Sequence, residues 1–140
     1  NVIAGHTRIE GTIRGLTQKM IETIDQRLKD ICEGIGRSYN MTVNLELNQG
    51  GYWPVENNSE LTKRFISYMK STPSVNFIET EPAMTGEDFG FLLAKFPGTR
   101  FWLGVDDDSQ LHSATLKPKE EAIQRGVDAI TGFLEYRMTE

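Results

Sequence analysis

The sequence predicts an α/β protein built in two parts, and three patterns support this fold class. Residues 1–53 contain two stretches of alternating apolar and polar residues with a long helical pattern between them. Residues 58–140 alternate helical and strand patterns, as in an open α/β sheet. The polar segment Pro54–Ser59 separates them and predicts a domain boundary.

The first part is predicted to be strand, helix, strand. A period of two over residues 8–14 predicts a half-buried strand with Arg14 on its polar face. From Thr17 the apolar spacing changes to i, i+3/i+4, which predicts a helix. Two glycines weaken the last turns of this helix, so we expect it to fray before Tyr39. A second alternating strand over residues 42–48 follows, and we expect further sequence or a partner chain to complete this layer.

The second part opens with two predicted helices, each begun by a capping box. Asn57 with Glu60 three residues later predicts the start of the first. A short strand over residues 76–79 follows it. Thr85 with Asp88 predicts the start of the second helix, which must end before Pro97 and Gly98.

The chain ends with a predicted buried strand, a polar loop and a last helix. The continuous apolar run Phe101–Val105 is typical of a strand covered on both faces. After the loop Asp106–Lys117, Pro118 is predicted to occupy the first position of the helix.

Charge and cysteine content exclude several classes of function. The net charge of -5, without a basic cluster, argues against a nucleic-acid partner. The single cysteine, Cys32, excludes an intrachain disulfide and a cysteine-based zinc site.

No apolar run approaches the ~18 residues of a membrane span, so we expect no membrane partner. No signal peptide opens the chain, and we expect a cytoplasmic protein.

His112 is the strongest candidate for chemistry on position alone. It follows the carboxyl end of the buried strand, where open α/β sheets place ligand sites. An exposed loop histidine without a role is the alternative, and position alone favours this alternative.

Two acidic stretches have structural alternatives of the same kind. Thr85–Asp88 either caps a helix or directs free N–H groups towards a substrate oxygen. Asp106–Asp108 is predicted to be a solvated turn, because three consecutive carboxylates do not all face one ion.

Several motifs in order resemble one family, the di-metal peptidases and deacylases that include succinyl-diaminopimelate desuccinylase, acetylornithine deacetylase, aminoacylases and hippurate hydrolases. The opening Asn1–Ile3 with Gly11–Arg14 resembles the family's "NVIP…GT.R" strand, with Ala4 where the family usually has proline. Glu81–Phe89 resembles its "P.M..EDF" segment. Pro97 to Ser113 resembles its "PG..F.LG……LH" run. Each motif alone is weak, but the order and spacing agree along almost the whole chain.

The resemblance implies a fold in which a lid domain interrupts a catalytic domain. Residues 1–53 would be the second half of a two-layer α+β lid, which mediates dimerisation in the family. Residues 54–140 would be the C-terminal part of an open α/β metallopeptidase-type catalytic domain. The first half of the lid and most of the catalytic domain would lie upstream.

The resemblance also implies roles for six residues. His112 matches the family's last metal ligand, one of a set that binds two divalent ions, zinc or another first-row metal. Asn1 and Arg14 match lid residues that hold the substrate's carboxylate. Met84, Thr85 and Gly86 match a turn that lines the substrate pocket. The remaining ligands and the glutamate general base would lie upstream, so no catalytic residue is assigned here.

The implied activity is metal-assisted hydrolysis of the amide in a small N-acetylated amino acid of lysine biosynthesis, by a homodimer. An aminoacylase or hippurate-type amidohydrolase of the same family is one alternative. A non-catalytic α/β binding module that keeps the scaffold is another.

Overall fold

The computed structural model describes residues 2–139, which contain four helices. They are α1 (Gln18–Tyr39), α2 (Ser59–Ser71), α3 (Phe89–Leu93) and α4 (Glu121–Met138). The chain forms two compact units. The first unit contains the chain up to Glu56 together with Pro82–Lys95, and the second contains Asn57–Glu81 together with the chain from Phe96 onward.

Helix α1 begins where the sequence predicts and ends later than expected. The Thr17 side chain accepts a hydrogen bond from the Met20 amide at 3.1 Å, which caps the first turn. The helix continues to Tyr39, so the expected early fraying is wrong. Asn40 turns the chain in the left-handed region, with φ 52°. A Cβ at Gly36 would lie 3.0 Å from the Met41 carbonyl oxygen, so this glycine permits the close return of the chain.

Helix α2 is capped one residue later than predicted. The Asn58 side chain accepts from the Leu61 amide at 3.0 Å and is the N-cap. Asn57 instead pairs with the backbone of Arg100, donating to its carbonyl at 2.9 Å and accepting from its amide at 2.8 Å. The predicted role of Asn57 is therefore wrong, because its amide ties two distant segments together rather than capping a helix.

The other two helices also begin later than predicted. Helix α3 starts at Phe89, with Asp88 as an N-cap whose side chain makes no capping hydrogen bond. The predicted capping box of Thr85 and Asp88 is therefore wrong. Helix α4 starts at Glu121 rather than at Pro118.

The four predicted strands do not form in residues 2–139. The segments 8–14, 42–48, 76–79 and 101–105 contain neither helix nor strand. The described part of the chain has one isolated antiparallel bridge, between Trp53 and Glu87. Period-two alternation predicts which face of a strand is buried, whereas the strand itself requires hydrogen bonds to a neighbour. The α/β description is therefore not confirmed by this structure.

The second unit has an aromatic core between α2 and α4. Phe65 and Met69 of α2 are buried. The centroid of the Phe65 ring lies 4.8 Å from that of Phe101 and 5.0 Å from that of Phe133. Both distances are within the range of favourable aromatic pairs. This packing joins α4 to α2 and to the segment that precedes the loop 106–117.

The predicted domain boundaries and the compact units are different descriptions of the chain. The prediction places residues 1–53 in a lid and residues 54–140 in a catalytic domain. The compact units group Pro82–Lys95 with the chain up to Glu56. The assignment to lid and catalytic domains stays a prediction. No helix within residues 2–139 combines the length and apolar content needed to cross a bilayer.

Candidate functional site

A cavity of about 540 Å³ in the first unit brings together three of the predicted substrate-binding residues. Arg14 lines it from one segment, and Thr85 and Gly86 line it from another that is far away in sequence. The remaining walls come from residues 11–15, α1 and residues 46–54. The convergence of these side chains is not a consequence of sequence proximity, and it makes the cavity the candidate substrate site of this unit.

Arg14 is held at this cavity by a short local contact. Its Nη1 donates to the Thr12 hydroxyl at 2.7 Å, across one intervening residue. Among the described residues no carboxylate forms an ion pair with Arg14. The guanidinium therefore keeps donors available for a carboxylate, which its planar fork binds with two parallel hydrogen bonds.

The cavity also contains acidic and amide groups that sequence reasoning missed. Asp25 of α1 and Glu46 line it, as do Asn48 and Gln49. The Gln49 and Gln18 side chains pair through two amide hydrogen bonds of 2.8 and 3.2 Å, which brace this wall. Glu46 and Asn48 lie on the polar side of an alternating stretch, as Arg14 does in its own, and that shared polarity was the available signal.

Close backbone packing places Thr85 and Gly86 at the cavity. The antiparallel bridge between Trp53 and Glu87 holds the segment just after them. A Cβ at Gly90 would lie 2.2 Å from the Trp53 carbonyl oxygen, so only glycine allows this approach. The Trp53 and Phe91 rings then pack edge to face, with centroids 5.9 Å apart. The turn is positioned by these contacts and not by helix capping.

The structure does not place the other predicted substrate residues at the cavity. Met84 is 54% exposed and does not line it. Asn1 lies outside the described residues. Both assignments stay predictions from the resemblance.

His112 lies in a hydrogen-bonded loop of the second unit. The Lys119 amide donates to the Val105 carbonyl at 3.1 Å and closes the base of the loop. His112 is exposed and has φ 67°, in the left-handed region that histidine adopts more often than most residues. The adjacent Ser113 amide donates to the Gln110 carbonyl at 3.0 Å, so the backbone turns sharply at His112.

Two of the three acids at the start of this loop, Asp106 and Asp107, have different hydrogen-bond partners. Asp106 accepts from the Arg125 guanidinium at 2.7 Å, and this cation lowers the pKa of the Asp106 carboxyl. Asp107 accepts from the Ser109 and Lys117 amides at 2.7 and 3.1 Å, and hydrogen bonds from Ser109 and Lys117 lower the pKa of its carboxyl. The carboxylates of Asp106 and Asp107 therefore bind different partners.

A complete metal site is not formed by this part of the chain. No group of three or more histidine, cysteine, aspartate or glutamate side chains within residues 2–139 is arranged to hold an ion. The exposed imidazole of His112 in a polar loop fits one ligand position. A catalytic ion needs about three protein ligands, so these residues fit part of a site and not a whole one.

Comparison with known proteins identifies the family. Residues 3–136 match the profile of peptidase family M20/M25/M40. The chain belongs to this family. This confirms the resemblance drawn from the motifs and supports a metallopeptidase-type domain, although the predicted strands are not seen here. No solved structure matches the chain.

The curated relatives share the chain's whole length but are much longer. An N-acetyldiaminopimelate deacetylase of Limosilactobacillus reuteri is 86% identical over 138 residues, which is 99% of this chain and 36% of that protein. The protein of that name in Lactobacillus helveticus is 79% identical over 139 residues, with the same coverage of each. The one in Pediococcus pentosaceus is 59% identical over 140 residues, 100% of this chain and 36% of its own length. The chain therefore spans about a third of the length of these relatives.

Proposed function

We propose that this chain is part of an amidohydrolase that removes the acetyl group from N-acetyl-diaminopimelate in lysine biosynthesis. The observation that carries this proposal is the 86% identity, over 99% of the chain, to a protein named as that deacetylase. The cavity supports it independently, because it presents a cation beside polar groups, as a small acylated amino acid requires.

Arg14 would bind and orient a carboxylate of the substrate. It already contacts Thr12 and forms no ion pair with a described residue, so a carboxylate would complete its donors. Thr85 and Gly86 line the same cavity and would limit the space around the substrate chain. These residues bind and position, and the chain supplies no identified general base.

His112 would contribute one imidazole nitrogen to a site for divalent ions in the full-length enzyme. Ions of this kind activate water and polarise an amide carbonyl. Zinc or another first-row metal suits an imidazole ligand. The other ligands would come from parts of the enzyme outside this chain, which supplies only about a third of the relatives' length.

The proposed enzyme is a cytoplasmic homodimer that pairs through its lid domains. Cytoplasmic action accords with a biosynthetic substrate, and dimerisation rests on the family resemblance alone.

A substrate panel on the full-length enzyme tests the proposed activity. We expect release of acetate from N-acetyl-diaminopimelate with a far higher kcat/KM than release of benzoate from hippurate. Preference for hippurate would make the protein a hippurate-type amidohydrolase. Hydrolysis of neither compound, by folded enzyme loaded with metal, would favour a binding module.

A further inference from the structure

We propose that Asp106 and Asp107 are positioning residues for His112, a two-point clamp that sets the conformation of the loop carrying this histidine. This proposal rests on the proposed role of His112 as a ligand. It gives a role to Asp106 and Asp107, which the proposed function does not use. The clamp consists of the Asp106–Arg125 ion pair and the hydrogen bonds of the Asp107 carboxylate.

The Asp107 carboxylate spans the loop. One of its oxygens accepts from the Ser109 amide at 2.7 Å and the other accepts from the Lys117 amide at 3.1 Å. Ser109 precedes His112 by three positions and Lys117 follows it by five, so a single half-buried side chain joins the two arms on either side of the imidazole. Hydrogen bonds to an ionised acceptor are stronger than those between neutral groups.

Asp106 fixes the loop to the helix that follows it. Its carboxylate pairs with Arg125 of α4 at 2.7 Å, although both side chains are partly exposed. Asp106 has φ 54°, so the chain enters the loop through a left-handed residue. The Lys119 amide bonded to the Val105 carbonyl at 3.1 Å closes the loop beside this pair. Together these contacts anchor the loop base to α4, whose Phe133 packs in the core.

Hydroxyl groups continue the same network close to His112. The Ser113 and Thr115 hydroxyls are 2.7 Å apart, and those of Ser109 and Thr115 are 3.3 Å apart. The residue next to His112 is thereby joined to Ser109, whose amide Asp107 holds. A shift of the Asp107 carboxylate would be transmitted to the backbone at His112.

A charge-matched series in the full-length enzyme tests the clamp. Asp106→Asn and Asp107→Asn each remove one clamp carboxylate, and asparagine tolerates the left-handed backbone at residue 106. Asp108→Asn is the control, because Asp108 is the next residue, is exposed, and makes no hydrogen bond or ion pair with a described residue. Two quantities are measured: hydrogen exchange of the loop in metal-free enzyme, and zinc affinity by chelator competition.

We expect Asp106→Asn and Asp107→Asn to speed loop exchange and to weaken zinc binding by about 10-fold. This is the low end of the effect of losing a group bonded directly to a ligand, because these carboxylates act on His112 through the backbone. The Asp108→Asn variant should match the wild type in both. Melting temperatures near that of the wild type would show that the loss is local. If an Asp106 variant fails to fold, Arg125→Gln breaks the same pair from the helix side and should give the same two changes.

The outcomes separate this inference from the proposed role of His112. If all three asparagine variants behave alike, the clamp is overturned, whatever His112 does. If His112→Ala leaves zinc affinity unchanged, the ligand role fails. If zinc affinity then also stays unchanged in Asp106→Asn and Asp107→Asn, their positioning role is overturned as well. Faster exchange without any loss of zinc affinity would show that the two carboxylates only stabilise the loop, and it would likewise overturn their positioning role.

Discussion

At the scale of single residues, close contacts decide which side chains reach the candidate cavity. Gly90 allows its backbone to approach the carbonyl groups of Trp53 and Pro54, and this approach holds Thr85 and Gly86 in place. The position of Arg14 depends on fewer contacts, since its one described hydrogen bond is to Thr12. We therefore expect a change at Gly90 to lower stability and a change at Arg14 to lower substrate binding.

We expect Arg14→Ala in the full-length enzyme to lower kcat/KM for N-acetyl-diaminopimelate. The transition state should lose about 1.5–3 kcal/mol of stabilisation, because the proposed charge-assisted contact is removed. The side chain is exposed, so the melting temperature should stay close to that of the wild type. Steady-state kinetics and calorimetry measure the two effects. A lower melting temperature with full activity would make Arg14 a structural residue.

Replacement of Gly90 by alanine should destabilise the enzyme by about 1–3 kcal/mol, because the added Cβ meets the carbonyl oxygens of Trp53 and Pro54. Gly34→Ala is the matched control, since a Cβ at this position in α1 meets nothing within 4 Å. Alanine there should stabilise the helix by about 0.5–1 kcal/mol. Thermal unfolding compares the two. A Gly90→Ala protein as stable as the control would contradict the close approach.

At the scale of elements, the sequence predicts what local interactions determine. The period of α1 depends on neighbours within a few turns, and the helix appears where the spacing predicts it; the cap at Thr17, equally local, was not predicted. The exchange of roles between Asn57 and Asn58 was not predictable, because it depends on Arg100, 43 positions away. Strands depend entirely on such distant partners, and the alternation over residues 8–14 carries no information on whether a partner is present.

The same limit applies to the candidate site. The motifs predict that Arg14, Thr85 and Gly86 share a site, and the cavity brings them together. Glu46 escaped prediction because its polarity alone is typical of any solvated strand face. The roles of Asp106 and Asp107 escaped as well, since adjacent identical residues give no sign of their separate partners.

The loop that carries His112 should lose order at low pH. The pKa of the Asp107 carboxyl is lowered in the folded chain by hydrogen bonds from Ser109 and Lys117. A lowered pKa stabilises the loop at pH values above the unfolded pKa of about 3.9, and the stabilisation is lost as pH falls through the folded value. Amide exchange at Ser109 and Lys117, corrected for intrinsic rates, should rise there. The Asp107→Asn protein should show a smaller transition, and what remains should belong to Asp106, whose carboxyl pKa is lowered by Arg125. A transition of unchanged size would contradict the assignment to Asp107.

At the scale of the whole molecule, the described residues bury little apolar surface. Four hydrophobic residues are buried, namely Ile21, Phe65, Met69 and Ala122. Helix α4 packs its aromatic residues against α2 but leaves a second apolar stripe exposed, formed by Ile123, Val127, Ile130 and Leu134. In the longer relatives about two thirds of the chain lies outside the matched region, and we expect such sequence to cover this stripe.

The isolated 140-residue chain should therefore self-associate and bind an apolar dye strongly. Sedimentation velocity measures the first property and dye fluorescence the second. Replacing Ile123, which is 71% exposed, by lysine should reduce both without unfolding α4. A monomer with weak dye binding would contradict the idea that these faces require a covering segment.

The metal content of His112→Ala in the full-length enzyme shows whether His112 is a metal ligand. His112 lies in a polar loop where its imidazole is exposed, and the family resemblance implies that it is a ligand rather than a general base. Loss of a base would lower kcat and leave the metal in place, whereas loss of a ligand should empty one of the two ion sites first. Elemental analysis of the purified variant should show a metal content clearly below that of the wild type, with activity lost. Two ions retained per subunit would show that His112 is not a ligand, whatever happened to the rate.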